Sequence, residues 1–297
     1  MRTDIEAFYT QPSGRLAPDI SDQLADAGIR EIGALVSEQF VYDMVAAPFY
    51  DVELSQEQAD GIHLRSTDDM LELLGAATGG LQPRAPRDRV GGRCSSYTRL
   101  AVELLRAKGI PARARCGFGA AFNPPKYEDH WVCEYWDDAV QQWRMADAQF
   151  DDVWRQNLNL DYDQFDVPRD TFLVAADAWQ LCRTGQADPN LFGISFEPLS
   201  GMWFIAGSLV RDAAALNNMQ MLPWDYWGAT PEPNTELSDD DLALYDHIAG
   251  LTRDPDASFD ELRRVYQTDD RLMVPDTVYN GLRDRQESVG SMSLPCR

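Results

Sequence analysis

From about residue 19 to 80 the hydrophobic positions recur at helical spacing. Leu24, Ile29, Ile32, Leu35 and Val36 form one irregular apolar stripe, and Asp68 to Leu74 carry a shorter one that Ser66 and Thr67 are placed to cap. Gly79-Gly80, Pro83 and Pro86 break the pattern, and a loop leads to Gly91-Gly92. From Cys94 to Lys108 the pattern is most regular. Tyr97, Leu100, Ala101, Leu104 and Leu105 share one face, and Gly109 followed by Pro111 ends the helix.

The period then changes to two. Ala112 to Phe118 alternates around Arg113 and Arg115, which predicts a half-buried strand, and Gly117 to Lys126, with Gly119, Asn123, Pro124 and Pro125, predicts a loop. Two more strands, His130 to Trp136 and Val140 to Asp147, are expected to join through Asp137 and Asp138. A turn centred on Asp138 and Ala139 would set Val132 opposite Met145, Glu134 opposite Trp143 and His130 opposite Asp147. Beyond residue 150 the pattern predicts apolar helices over Phe172 to Leu181 and Trp203 to Leu216. Two later helices start at the caps Ser238-Asp239-Asp240-Asp241 and Ser258-Phe259-Asp260-Glu261. The elements together predict an α+β fold in three parts: an N-terminal helical region over 1–83, a core over 84–152, and a mainly helical C-terminal region over 153–297 packed on that core.

Composition narrows the function classes. The formal net charge of -23 and a pI near 4.3 repel phosphate backbones and anionic lipid, so neither nucleic acid nor a membrane surface is an expected partner. No uncharged run approaches the roughly 18 residues that cross a bilayer. The charged start Met1-Arg2-Thr3-Asp4-Ile5-Glu6 is unlike a secretory signal, and the expected location is cytoplasmic. Five cysteines, Cys94, Cys116, Cys133, Cys182 and Cys296, are an odd number without close pairing, which fits reduced thiols.

The candidate chemistry lies in Cys94, His130 and Asp147. Cys94 opens its helix after Gly91-Gly92-Arg93, where the helix dipole and unpaired amides favour a thiolate and offer donors to an oxyanion. His130 begins one strand and Asp147 ends the next. In that arrangement Cys94 would attack an acyl carbon, His130 would act as base and then acid, and Asp147 would orient the imidazole. The scheme needs no cofactor and no metal. A metal site from Cys94, Cys116, Cys133 and His130 lacks a close ligand pair, and Cys116 and Cys133, falling in strands, read as small core residues. The Asp-rich stretch from Asp151 to Asp170 lacks the glycine and terminal glutamate of a calcium loop and reads as a solvated acidic face. Trp131, Trp136, Trp143 and Tyr127 either line an acyl pocket or belong to the core.

These residues also carry a family resemblance. Gly92-Arg93-Cys94-Ser95-Ser96-Tyr97, continued by Leu104-Leu105-Arg106-Ala107-Lys108-Gly109-Ile110-Pro111-Ala112-Arg113, resembles the core of the transglutaminase-like superfamily. So does Asp129-His130-Trp131-Val132 followed by Trp143-Arg144-Met145-Ala146-Asp147. The resemblance covers about residues 84 to 152, and Gly201 to Gly228 resembles an extension of bacterial members. It implies a papain-like core, a nucleophile helix packed on an antiparallel sheet, with Cys94 as nucleophile, His130 as base and Asp147 as orienting acid. The superfamily includes protein cross-linkers, peptidases, amide hydrolases, amide-forming enzymes and inactive binding domains. The expected substrate is a peptide or small amide, or a carrier-bound thioester. A non-catalytic module binding a peptide or protein is the alternative, and the oligomeric state is left open.

Overall fold

A computed structural model describes residues 1–76 and 80–290; Gly79 and Cys296 lie outside the described residues. The chain divides into two units, Met1–Ala114 with Val132–Val167, and Arg115–Trp131 with Pro168–Gly290. Its fold is α+β.

The first unit opens with α1 (Thr3–Thr10), α2 (Pro18–Leu24), α3 (Ile29–Ser37), β1 (Phe40–Tyr42), α4 (Ala46–Tyr50), α5 (Gln56–Ala59) and α6 (Thr67–Leu73). Helices this short are marginal alone, so buried faces fix them. Ile32 and Val36, one turn apart on α3, are both fully buried. Ser66 caps α6 by accepting the Asp69 N–H at 3.0 Å. Strand β2 (Val90–Gly92) pairs in parallel with β1 and delivers the chain to α7 (Cys94–Ala107), which packs against α1, α3 and α6. Leu100, Leu104 and Leu105 of α7 are fully buried, each contributing roughly 2 kcal/mol. The buried Glu103 accepts the Ser13 N–H at 2.9 Å and its hydroxyl at 2.6 Å.

Two twelve-residue strands follow, β3 (Ala112–Asn123) and β4 (Lys126–Asp137), each running from one unit into the other. The loop expected over Gly117 to Lys126 is therefore largely strand. Its glycines mark close approach: a side chain at Gly117 would run into the carbonyl of Leu173 on the neighbouring strand.

In the first unit β4 pairs antiparallel with β5 (Gln142–Ala146), setting Glu134 opposite Met145 and Trp136 opposite Trp143, with Cys133 and Ala146 as the last pair. The expected register is thus off by two residues, and His130 is not set opposite Asp147. The cause is the turn: residues 138–141 all lie outside the ladder, and Gln141 takes a left-handed φ of 54°. A shift of two leaves the faces unchanged, since alternate residues of β4 still point the same way. Arg113 donates to Glu134 at 2.7 Å across the buried ladder, and its guanidinium lies 3.9 Å over the Trp143 ring. Then comes α8 (Asp152–Leu158), capped by Asp151, which accepts the Val153 and Trp154 N–H groups at 3.1 Å. Asp151 also accepts the Tyr50 hydroxyl at 2.8 Å and pairs with Arg89 at 3.0 Å. This end of the acidic stretch is consequently a tied structural cap and not a solvated face.

The second unit adds β6 (Phe172–Val174), α9 (Ala175–Arg183), β7 (Phe192–Ile194), β8 (Leu199–Ser200), α10 (Met202–Leu216), β9 (Asp225–Tyr226), α11 (Asp239–Arg253), α12 (Phe259–Thr268), β10 (Thr277–Asn280) and β11 (Arg285–Ser288). The strand order β6-β3-β4-β7-β8 makes the larger sheet, and β11-β10-β9 a smaller one. Phe172 thus begins a strand where a helix was expected. Strands of two to four residues leave too little alternation to be read from sequence. On α10, fully buried Asp212 accepts Arg115 at 3.0 and 2.9 Å and the Cys116 N–H at 2.9 Å. Ser238 caps α11 as expected, whereas Ser258 makes no side-chain cap bond to α12. Among the described residues no helix is long and apolar enough to cross a membrane.

Candidate active site

Cys94 is the first residue of α7 and is 4% exposed. The glycines before it are required by space. A Cβ on Gly91 would sit 2.6 Å from the carbonyl oxygen of Gln58, and one on Gly92 would sit 2.9 Å from the Phe40 ring. The extended Arg93 precedes the helix, its N–H donating to the Ser96 hydroxyl at 3.3 Å while the Ser96 N–H returns to the Arg93 carbonyl at 2.7 Å. The first turn carries the positive pole of α7, which favours an anion beside Cys94. Burial pulls the Arg93 guanidinium down, but the hydrogen bonds and charge of Asp43 more than reverse this. Sequence gave no signal for Asp43, which lies fifty-one positions from Cys94 and is brought near by the β1·β2 pairing.

Asp147, in the same unit, lies just past β5 and is 3% exposed. Its loop is clamped. The Asp147 N–H donates to the Gln164 carbonyl at 2.7 Å, the Gln164 amide donates back to the carbonyls of Asp147 at 3.3 Å and Phe150 at 2.5 Å, and the Asp147 carboxylate accepts the Gln149 N–H at 3.0 Å. The Tyr162 phenol is pushed up by burial and then by the charges of Asp147 and Asp161. The Gln164 clamp escaped the sequence reading because it acts across seventeen residues through an ordinary polar side chain.

His130 belongs to the second unit, in β4, and is 3% exposed. Two aromatic rings flank it, Phe122 at 4.8 Å and Phe172 at 6.1 Å between centroids, both edge-on. Gly119 leaves space beside it, for a Cβ there would come 3.7 Å from the His130 Cβ and 2.7 Å from the Phe122 ring.

The other candidates resolve into structure. Cys116 and Cys133 are fully buried in strands, and burial pushes the Cys133 thiol far up. Burial likewise pushes half-buried Cys182 up to about 11. Among the described cysteines no disulfide forms. Trp143, half-buried, lies under Arg113 and edge-on to Trp136, and half-buried Tyr127 stacks on Phe192 at 4.8 Å, while Trp131 is fully buried. Among the described residues no group of three His, Cys, Asp or Glu side chains is arranged to hold a metal ion.

Comparison with known proteins places the central stretch in a class. Residues 80–148 match the model of the transglutaminase-like superfamily core. Cys94, His130 and Asp147 all fall inside the match. Among solved structures, red sea bream transglutaminase is 17% identical over 49% of this chain and 30% of its own, with a TM-score of 0.31. A "Putative Cysteine Protease" from Cytophaga hutchinsonii is 21% identical over 58% of this chain and 53% of its own, with a TM-score of 0.20. The chain therefore spans about a third of one and about half of the other. No curated protein matches it.

Proposed function

We propose that this chain is a thiol-dependent enzyme that moves an acyl group through a thioester on Cys94, with His130 as acid and base and Asp147 as the orienting carboxylate. The observation that carries the reading is Cys94 opening a buried helix within the matched stretch 80–148. In the first half-reaction the Cys94 sulfur bonds the acyl carbon, the bond from that carbon to nitrogen breaks, and the imidazolium of His130 protonates the departing amine. In the second, water or an amine bonds the acyl carbon, its proton passes to His130, and the carbon–sulfur bond breaks to restore the thiolate. Amides of the first turn of α7 would hold the oxyanion in both steps. A thiol 4% exposed is poorly reached from a folded protein surface, which favours a peptide, a small amide or a thioester arm as donor over bulk protein cross-linking.

The same burial favours a second reading, a closed module that binds a peptide and performs no chemistry. A mechanism-directed thiol probe separates the two. Stoichiometric labelling of Cys94, lost in Cys94→Ala and weakened in His130→Ala, supports the enzyme. If Cys94 reacts no faster than Cys116 or Cys133, the enzyme reading fails. Trapping the acylated Cys94 by mass spectrometry after incubation with cell extract would then name the donor.

A further inference from the structure

The second unit buries an arginine that its own fold leaves nearly unused. Arg211, on the inner face of α10, is 5% exposed, its Nε has no hydrogen-bond partner, and its one hydrogen bond runs from Nη2 to the Asp225 carbonyl at 3.5 Å. Tyr226 offers a ring 5.7 Å from Cζ, and among the described residues no carboxylate comes within the 4.0 Å of an ion pair. A guanidinium has five N–H donors, and burying it without a hydrogen-bonded anion is unfavourable. Whatever accepts those donors is therefore expected to come from outside the chain.

Its surroundings define what would fit. Phe204, seven residues before Arg211 and on the same face of α10, packs on Phe118 of the larger sheet at 6.2 Å, while the Arg211 guanidinium itself reaches Asp225 and Tyr226 of β9. Phe118 touches Phe192 and Tyr127 stacks on Phe192, so the face of β4 turned to α10 is that of Tyr127, Asp129 and Trp131. On that face Asp129 feels the charge of Arg211. Trp131 is fully buried with its Nε1–H unpartnered. Beside Gly207, where a Cβ would lie 3.0 Å from Arg211 Nη1 and 3.6 Å from the Thr230 methyl, Thr230 brings a further buried hydroxyl without a partner. Asp129, with Glu128 next to it, opposes a doubly charged guest, and the net charge of -23 opposes polyanions.

We propose that Arg211, flanked by Thr230 and Asp129, is a binding site for the carboxylate of a small organic acid. The guanidinium receives the two carboxylate oxygens side by side, and the Thr230 hydroxyl donates to one of them. The site lies on the face of β4 opposite that of His130, and it does not depend on the acyl-transfer reading.

The test uses the full chain with acetate as the probe, against chloride at equal ionic strength. Acetate is expected to raise the melting temperature above the chloride control and to move the Arg211 Nε–H resonance, both effects vanishing in Arg211→Met. Asp129→Asn removes a repelling charge and is expected to tighten acetate binding about threefold to tenfold. Should Arg211→Met fail to fold, this second variant still decides. Acetate acting as chloride does on the wild type, or an unchanged affinity in Asp129→Asn, overturns the proposal. Neither readout involves Cys94, so failure here and failure of the enzyme reading are told apart.

Discussion

The guanidinium of Arg93 meets the carboxylate of Asp43 through two hydrogen bonds of 2.9 Å, one residue ahead of Cys94. Both side chains are less than a fifth exposed. Removing the carboxylate in Asp43→Ala takes two hydrogen bonds and a counter-charge from a mostly buried cation, a loss of about 2 kcal/mol, between that of an exposed and a buried pair. The remaining positive charge also favours an anion at its neighbour. Urea unfolding is expected to show the lower stability, and alkylation of Cys94 at pH 7 to run faster than in the wild type.

Gln164 holds the carbonyls of Asp147 and Phe150 with one amide. In Gln164→Leu two buried carbonyls lose their donor, which costs about 2 kcal/mol. The Asp147 loop loosens with them. If Asp147 orients His130, thiol-probe labelling of Cys94 falls in this variant under conditions where it remains folded by circular dichroism.

The helix that Cys94 opens was legible because its signals are local. Tyr97, Leu100, Ala101, Leu104 and Leu105 mark one helical face, and Gly109 at φ 79° ends it. The hairpin register was not legible. Residues 138–141 contain no glycine or asparagine to announce a left-handed position, so the longer turn carrying Gln141 at φ 54° passed for a shorter one. Of the candidate triad, the helix start at Cys94 was legible, whereas His130, expected to begin a strand, lies inside β4, and Asp147, expected to end one, lies just past β5. The sequence hid the side chains that brace them, since Asp43, Gln164, Phe122 and Phe172 arrive from other segments.

Gly91 and Gly109 are expected to respond differently to alanine. At Gly91 the new methyl meets the Gln58 carbonyl at 2.6 Å and the Ala59 Cα at 3.2 Å, both backbone. Overpacking of this kind costs about 1–3 kcal/mol and shifts the start of α7. At Gly109 nothing lies within 4 Å and only the left-handed φ is strained, a cost of about 1 kcal/mol. Thermal unfolding should rank Gly91→Ala as the less stable variant, and Cys94 labelling should fall only there.

Asp129 makes stability depend on pH in a particular direction. Burial pushes its carboxyl up to about 6 from the ordinary 3.8, against the pull of Arg211 and His130. The folded chain therefore holds this proton more tightly than the unfolded chain, and the stability it brings is present below pH 3.8 and lost as the pH rises through about 6. Asp129→Asn is expected to match the wild type near pH 4 and to exceed it at pH 8 by on the order of 2 kcal/mol. Paired urea titrations at the two pH values check the difference.

Asp212 accepts two hydrogen bonds from Arg115, which is 1% exposed. Asp212→Ala removes the carboxylate from that buried guanidinium and is expected to cost about 3–5 kcal/mol. Asp212→Asn keeps one acceptor oxygen and is expected to lose less, as read from the denaturant midpoint.

The route of β3 and β4 decides how this molecule can be taken apart. Each strand starts in one unit and finishes in the other, so residues 115–131 belong with the C-terminal half while the stretches on either side of them belong with the N-terminal half. No single cut of the gene releases either unit whole. A fragment ending after Asp152 would carry the outgoing strands without Phe172 to Val174, which completes the edge of β3. Splitting the chain for separate expression therefore severs a shared framework, and any attempt to swap or shorten the C-terminal half has to keep the long hairpin with it.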